Sequence, residues 1–123
     1  MKRTQQKREK RLRRKIRIRA RIKGTSKRPR ISVFRSNKHV WLQLIDDESG
    51  KTILSVSDQD VREKGKKVTP KQRIERAFEA GRELAERAKA KKIERAVFDR
   101  GGYSYHGIIK RVAEGAREGG LIF

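Results

Sequence analysis

The segment Arg30-Ile31-Ser32-Val33-Phe34-Arg35-Ser36-Asn37-Lys38-His39-Val40-Trp41-Leu42-Gln43-Leu44-Ile45-Asp46 decides the architecture. In its first half Ile31 and Val33 fall on one side of an extended chain and Phe34 on the other. In its second half Val40, Leu42 and Leu44 share one side, and Trp41, Gln43 and Ile45 the opposite one. A period of two is the mark of a strand with one covered face. Asn37-Lys38 between the halves is a short turn, so strands over 30–36 and 39–46 pair as a hairpin. Asp47-Glu48-Ser49-Gly50 is a second turn, with Gly50 suited to a positive φ. Lys51 to Ser57, carrying Ile53, Leu54 and Val56, is a third strand. The three strands make an antiparallel meander.

Downstream, Asp58 to Val68 is polar and irregular, the composition of a loop. Thr69 is then a candidate N-cap, Pro70 sits at the first helical position, and Gln72 completes a capping-box pattern. Ile74, Ala77, Phe78, Gly81, Leu84, Ala85 and Ala88 follow at helical spacing as one apolar stripe. Gly81 on that stripe suggests close approach to the sheet. Ile93 to Asp99 predicts a fourth strand, the turn Arg100-Gly101-Gly102 follows, and a last helix runs from near Tyr105 to Glu118. Its inward face would be Ile109, Val112, Ala113 and Ala116, and Gly119-Gly120 ends it. A strand, a helix and a further strand imply a parallel crossover. The fold class is therefore α/β: a mixed sheet of about four strands packed against two helices.

Upstream the chemistry changes. Residues 1–30 carry 16 Lys or Arg and one acid, Glu9, for +15, whereas residues 31–123 carry 20 and 14, for +6. That asymmetry describes an arm (residues 1–27) attached to a globular domain (residues 28–123). Like charges recur at i,i+4 in the arm, for example Lys7/Arg11, Arg13/Arg17 and Arg17/Arg21, and each pair costs an isolated helix a few tenths of a kcal/mol. The arm is thus expected to be disordered when free and to order on a polyanion. Lys15 to Ile22 alternates as a strand would, while Leu12, Ile16 and Ala20 form a helical stripe; Ala and Arg tip the balance towards helix.

Composition excludes several functions. The 123 residues include no Cys and two His, which removes disulfides, thiolate metal sites and cysteine nucleophiles. No apolar run approaches the roughly 20 residues of a membrane span, and the N-terminus lacks a signal peptide's apolar block. A membrane-surface helix would want aromatics opposite its basic face, and the arm has none. There is no P-loop, no Ser-His-Asp set and no G-x-G-x-x-G. No cofactor and no metal are expected. A net charge of +21 on a soluble, intracellular chain calls for a strongly anionic partner.

Several blocks, in order, resemble one family. Arg28-Pro29-Arg30-Ile31-Ser32-Val33-Phe34-Arg35-Ser36-Asn37-Lys38-His39 and Gln43-Leu44-Ile45-Asp46-Asp47 look like the opening strands of the bacterial large-subunit ribosomal protein L-18 family. Phe98-Asp99-Arg100-Gly101-Gly102-Tyr103, Tyr105-His106-Gly107 and Gly115-Ala116-Arg117-Glu118-Gly119-Gly120-Leu121 continue the likeness. Trp41 stands where that family has a smaller residue or Tyr, and Ile108 where it has Arg. The resemblance implies a fold shared with ribonuclease-H-like translational components and a structural protein, not an enzyme. It also implies binding to 5S ribosomal RNA and attachment of that RNA to 23S RNA in the central protuberance. Other 5S-binding ribosomal proteins would be neighbours, the location would be the cytoplasmic ribosome, and the free chain would be a monomer.

The expected RNA contacts fall in three groups. The arm offers Arg8, Arg11, Arg13, Arg14, Lys15, Arg17, Arg19, Arg21 and Lys23, continued by Arg28 and Arg30. The hairpin tip offers Arg35, Asn37, Lys38 and His39 for phosphate or ribose, unless these simply solvate an edge. The strand-to-helix turn offers Arg100, Gly101 and Gly102, with Asp99 as the acceptor that fixes it. Tyr103, Tyr105 and His106 beyond it could stack on bases or cap the core. The competing class is a metal-dependent nuclease built on Asp46, Asp47, Asp58 and Asp99, which would have to converge on two ions.

Overall fold

The structure, a computed structural model, describes residues 2–36, 39–58, 70–103, 105 and 107–123. The elements in chain order are α1 (Lys2–Arg21), β1 (Arg30–Arg35), β2 (Val40–Asp46), β3 (Lys51–Ser57), α2 (Pro70–Ala90), β4 (Val97–Asp99) and α3 (Ile108–Glu118). The sheet order is β3-β2-β1-β4. The meander pairs antiparallel, with Ile31 opposite Leu44 and Phe34 opposite Trp41, while β4 runs parallel to β1. The chain crosses from one sheet edge to the other through α2, so the mixed α/β sheet expected from the strand order is present.

One face of the sheet is dry. Ile31, Val33, Val40, Leu42, Leu44 and Val56 are buried in one cluster with Ala77, Leu84 and Ala88 of α2 and Ile109, Val112 and Ala116 of α3. Each fully buried Leu, Ile or Val stabilises the fold by about 1.5–3 kcal/mol relative to exposure. The two helices cross where neither carries a side chain. A Cβ on Gly81 would run into the Val112 carbonyl, and one on Gly115 into the Phe78 carbonyl. Gly81 therefore marks close approach to α3, not to the sheet. Ile74, expected on the inward stripe, is exposed, and the buried stripe begins at Ala77. The Thr69/Gln72 capping pattern and most of the 58–68 loop lie outside the described residues and side chains.

The fourth strand is shorter than its apolar pattern suggests, and the reason lies in how α2 ends. Lys92 adopts φ 62, and the Lys92 and Ile93 N–H groups donate to the Lys89 and Ala88 carbonyls at 2.9 Å each. That pair of bonds closes the helix C-terminus and uses Ile93 as its apolar plug. Arg95 then bridges Ile122, and the Ala96 N–H donates to the Ile122 carbonyl at 3.1 Å. Only Val97–Asp99 is left to pair with β1. The same closure ends α3: Gly120 donates to Arg117 at 3.0 Å and Leu121 to Ala116 at 3.1 Å, with Gly120 at φ 109.

Candidate nucleic-acid interface

The other face of the sheet has no helix packed over its centre, and the arm runs beside it. A buried polar node ties the two together. Asp99 is 0% exposed. Its Oδ1 accepts from the Gly101 N–H at 2.8 Å, and its Oδ2 accepts from Arg30 Nη1 at 2.7 Å and Arg19 Nε at 3.2 Å. Arg30 also forks onto Asp47, Nε to Oδ2 at 3.1 Å and Nη2 to Oδ1 at 3.0 Å, and the Gly24 N–H donates to Asp47 Oδ2 at 2.7 Å. The Arg30 hydrogen bonds hold the Asp47 carboxyl below its ordinary range, against the opposing effect of partial burial. One arginine thus joins the first strand, the turn between β2 and β3, and the end of β4.

This geometry assigns Arg30 an internal role. It is 7% exposed and saturated by two carboxylates, so it has no reach towards RNA. Gly101 and Gly102 are also spoken for in this conformation. Asp99 takes the Gly101 N–H, the Gly102 carbonyl accepts from Arg14 Nε at 2.8 Å, and Gly102 lies against the α1 backbone at Arg11. The turn acts as a seat for the arm, and its backbone does not present an open anion cradle. Asp99 is the acceptor that fixes it, as the local sequence suggests.

The arm is helical from Lys2 to Arg21, and one side of that helix faces the body. Arg11 lies over the Tyr103 ring at 5.1 Å, Arg14 bonds Gly102, and Arg19 reaches Asp99. Lys15 is half-buried between them, and burial, reinforced by the Arg19 charge, pushes its ammonium below the ordinary lysine range. Leu12 and Ile16, the stripe that argued for helix, point away from the body at 55% and 61% exposure. Arg8, Arg13, Arg17, Arg21 and Lys23 are exposed, and among the described residues none of them has an ion pair. Arg28 is exposed at the entry to β1.

At the hairpin tip Arg35 is exposed and its carbonyl accepts from the Tyr103 hydroxyl at 3.2 Å. His39 is half-buried, its Nδ1 3.2 Å from Asp58. Asn37, Lys38 and His106 lie outside the described residues. Arg100 Nη1 donates to the Tyr103 carbonyl at 2.8 Å, which stiffens the turn. Tyr103 joins arm and hairpin, and Tyr105 packs edge-on against Phe98 at 6.1 Å while staying exposed. Ile108 is partly buried against the core.

Phe34 and Trp41, opposite one another across β1 and β2, lie on the open face with ring centroids 5.4 Å apart. They border a groove of about 680 Å³ that Lys15, Arg19, Ser32 and Gln43 also line. Neither aromatic figures among the residues expected to touch RNA. The signal was available: the alternation puts both on the face opposite Ile31 and Leu42, and two helices cover only one face.

The carboxylates do not converge. Asp46 accepts from the Glu48 N–H at 3.0 Å and the Ser49 hydroxyl at 3.0 Å, Asp58 faces His39, and Asp47 and Asp99 share Arg30. Among the described residues no group of three or more His, Cys, Asp or Glu is placed to hold a metal ion.

Comparison with known proteins decides the class. The family model described as Ribosomal L18 of archaea, bacteria, mitochondria and chloroplast matches residues 5–123. The chain belongs to the ribosomal L18 family. It is 50% identical over 119 residues to the large ribosomal subunit protein uL18 of Thermotoga petrophila, covering 95% of each chain. Against uL18 of Thermomicrobium roseum the identity is 51% over 115 residues, covering 92% of this chain and 91% of the other. For uL18 of Lactobacillus acidophilus it is 50% over 113 residues and 92% of each. The L18 match begins inside the basic helix, so arm and body belong to one family unit. Membership makes the chain a protein of the large ribosomal subunit and not an enzyme.

Proposed function

We propose that this L18 chain binds 5S ribosomal RNA and helps attach it to 23S RNA in the central protuberance of the cytoplasmic ribosome, as a monomer that also meets other 5S-binding proteins there. The observation that carries this is the division of labour on α1. Arg11, Arg14 and Arg19 hold the helix on the body, which leaves Arg13, Arg17 and Arg21 as an exposed row of cations at i,i+4 spacing, with Arg8 exposed nearer the start of the helix. Such a row neutralises phosphates and releases their counterions, a term that is strong but blind to sequence. Selectivity must then come from the body. Side chains cannot read the deep, narrow major groove of A-form RNA, so shape, 2′-hydroxyls and looped nucleotides carry recognition. Arg35, Arg28, Lys38, His39, Arg100 and the Tyr103–His106 segment are the body's contributors.

The test is 5S RNA binding across a salt series, with the intact chain and a chain starting at Lys27. If roughly 6–10 of the arm's cations reach phosphates, log affinity falls with log salt at a slope on the order of −4 to −9. Much of that slope disappears with the arm, while preference for folded 5S RNA over a DNA duplex survives. An unchanged slope after deletion, or equal affinity for the DNA, would refute the assignment.

A further inference from the structure

The uncovered sheet face has a composition that a solvated sheet face does not need. Phe34 is 56% and Trp41 37% exposed, and the two rings stand side by side across the β1–β2 ladder. Around them the groove is polar and cationic: Ser32 and Gln43 on the strands, Lys15 and Arg19 from the arm helix. Exposed aromatics at the floor, hydroxyl and amide groups beside them, and cations along one wall match the needs of an unpaired nucleotide. Its base has two π faces, its edges carry donors and acceptors, and its phosphate is an anion. A protein partner would be met better by an unbroken apolar patch, and a membrane by aromatics without the neighbouring serines. Lys15 adds a second reason. It is half-buried with Arg19, Arg11 and Arg30 as cationic neighbours, and burial and the Arg19 charge hold its ammonium below the usual lysine range although the Asp99 carboxylate opposes them. A phosphate in the groove would relieve that repulsion.

We propose that the open sheet face is a stacking site for an unpaired RNA base, held on Phe34 and Trp41 with its phosphate at Lys15. The site rests on the RNA-binding function proposed above and specifies where a looped-out nucleotide would lodge. Because Phe34 and Trp41 protrude from a sheet whose core lies on the other side, removing either ring leaves the buried cluster intact.

Trp41 is the chain's single Trp, so its emission reports on this groove alone. The intact chain is titrated with 5S RNA, with oligouridylate, and with an RNA duplex of equal phosphate number. Stacking predicts quenching by 5S RNA and by oligouridylate but not by the duplex. Trp41→Ala and Phe34→Ala each lower 5S RNA affinity about tenfold, Trp41→Tyr retains it, and the salt slope stays the same because no phosphate contact is lost. If 5S RNA binds with full affinity and the emission does not change, or if Trp41→Ala binds like the parent, the stacking site is wrong although the RNA-binding function stands. Quenching by the duplex equal to that by oligouridylate would also overturn it. Quenching by oligouridylate without 5S RNA binding would support the site and sink the proposed function instead.

Discussion

At the scale of single residues, the decisive chemistry is that of Arg30. A guanidinium at this depth must be fully paired, because breaking one partner leaves an uncompensated charge away from water. Asp47 and Asp99 satisfy it from two directions. The Asp47 carboxyl is depressed by the Arg30 hydrogen bonds, so it has a lower pKa in the folded chain than the ordinary 3.8. Such a group contributes stability that is fully present above the unfolded value and is lost as pH falls through the folded one. The Asp47 contribution to the folding free energy should therefore be flat from neutral pH to about 5 and fall below about 4. Asp47→Asn should remove about 1–3 kcal/mol at neutral pH and flatten the acid limb. Urea unfolding of both proteins at several pH values measures this; parallel acid limbs would show that Asp47 is not the group responsible.

At the scale of elements, the α2–α3 crossing shows glycine used for contact. Gly115 has no positive φ and sits within a helix, where Ala would be favoured by about 1 kcal/mol on propensity alone. The Phe78 carbonyl occupies the place a Cβ would take, and backbone cannot step aside as a side-chain end can. Gly115→Ala should destabilise the protein by about 1–3 kcal/mol despite the gain in propensity. A thermal melt that rises instead would mean that the helices part at little cost. The arm helix is the opposite case: it has 20 residues and no acid in its first turn, and its ordering depends on Tyr103, Gly102 and Asp99 beneath it. Like charges at i,i+4 repel along this helix, and the contacts with the body are what offset that repulsion.

At the scale of the whole molecule, core and cations are segregated. The buried cluster draws only on residues from Ile31 onward, and α1 reaches the body through charge and hydrogen bonds. A chain starting at Lys27 should therefore still melt cooperatively, somewhat below the intact protein because Asp99 loses one of its two arginines. Circular dichroism of that fragment provides the measurement, and a gradual, non-cooperative transition would show that arm and body fold as one unit.

The sequence by itself determined the order of elements, the antiparallel meander and the inward face of α3. These follow from periodicity and turn chemistry within a few residues, which are local quantities: Ile31, Val33, Leu42 and Leu44 alternate whatever surrounds them. It also revealed the basic arm and, through the blocks around Phe34 and Gly101, the family. Only the tertiary structure decided what depends on distant partners. It drew Ile93 into a helix end and shortened β4, turned Gly81 towards α3, and pointed Leu12 and Ile16 outward while Arg14 and Arg19 faced the body. It withdrew Arg30, Gly101 and Gly102 from solvent and left Phe34 and Trp41 in it. A cation looks the same in a sequence whether it meets a phosphate or a buried carboxylate 69 residues away, as Arg30 meets Asp99. The difference lies in desolvation and pairing, and those exist only once the chain has folded.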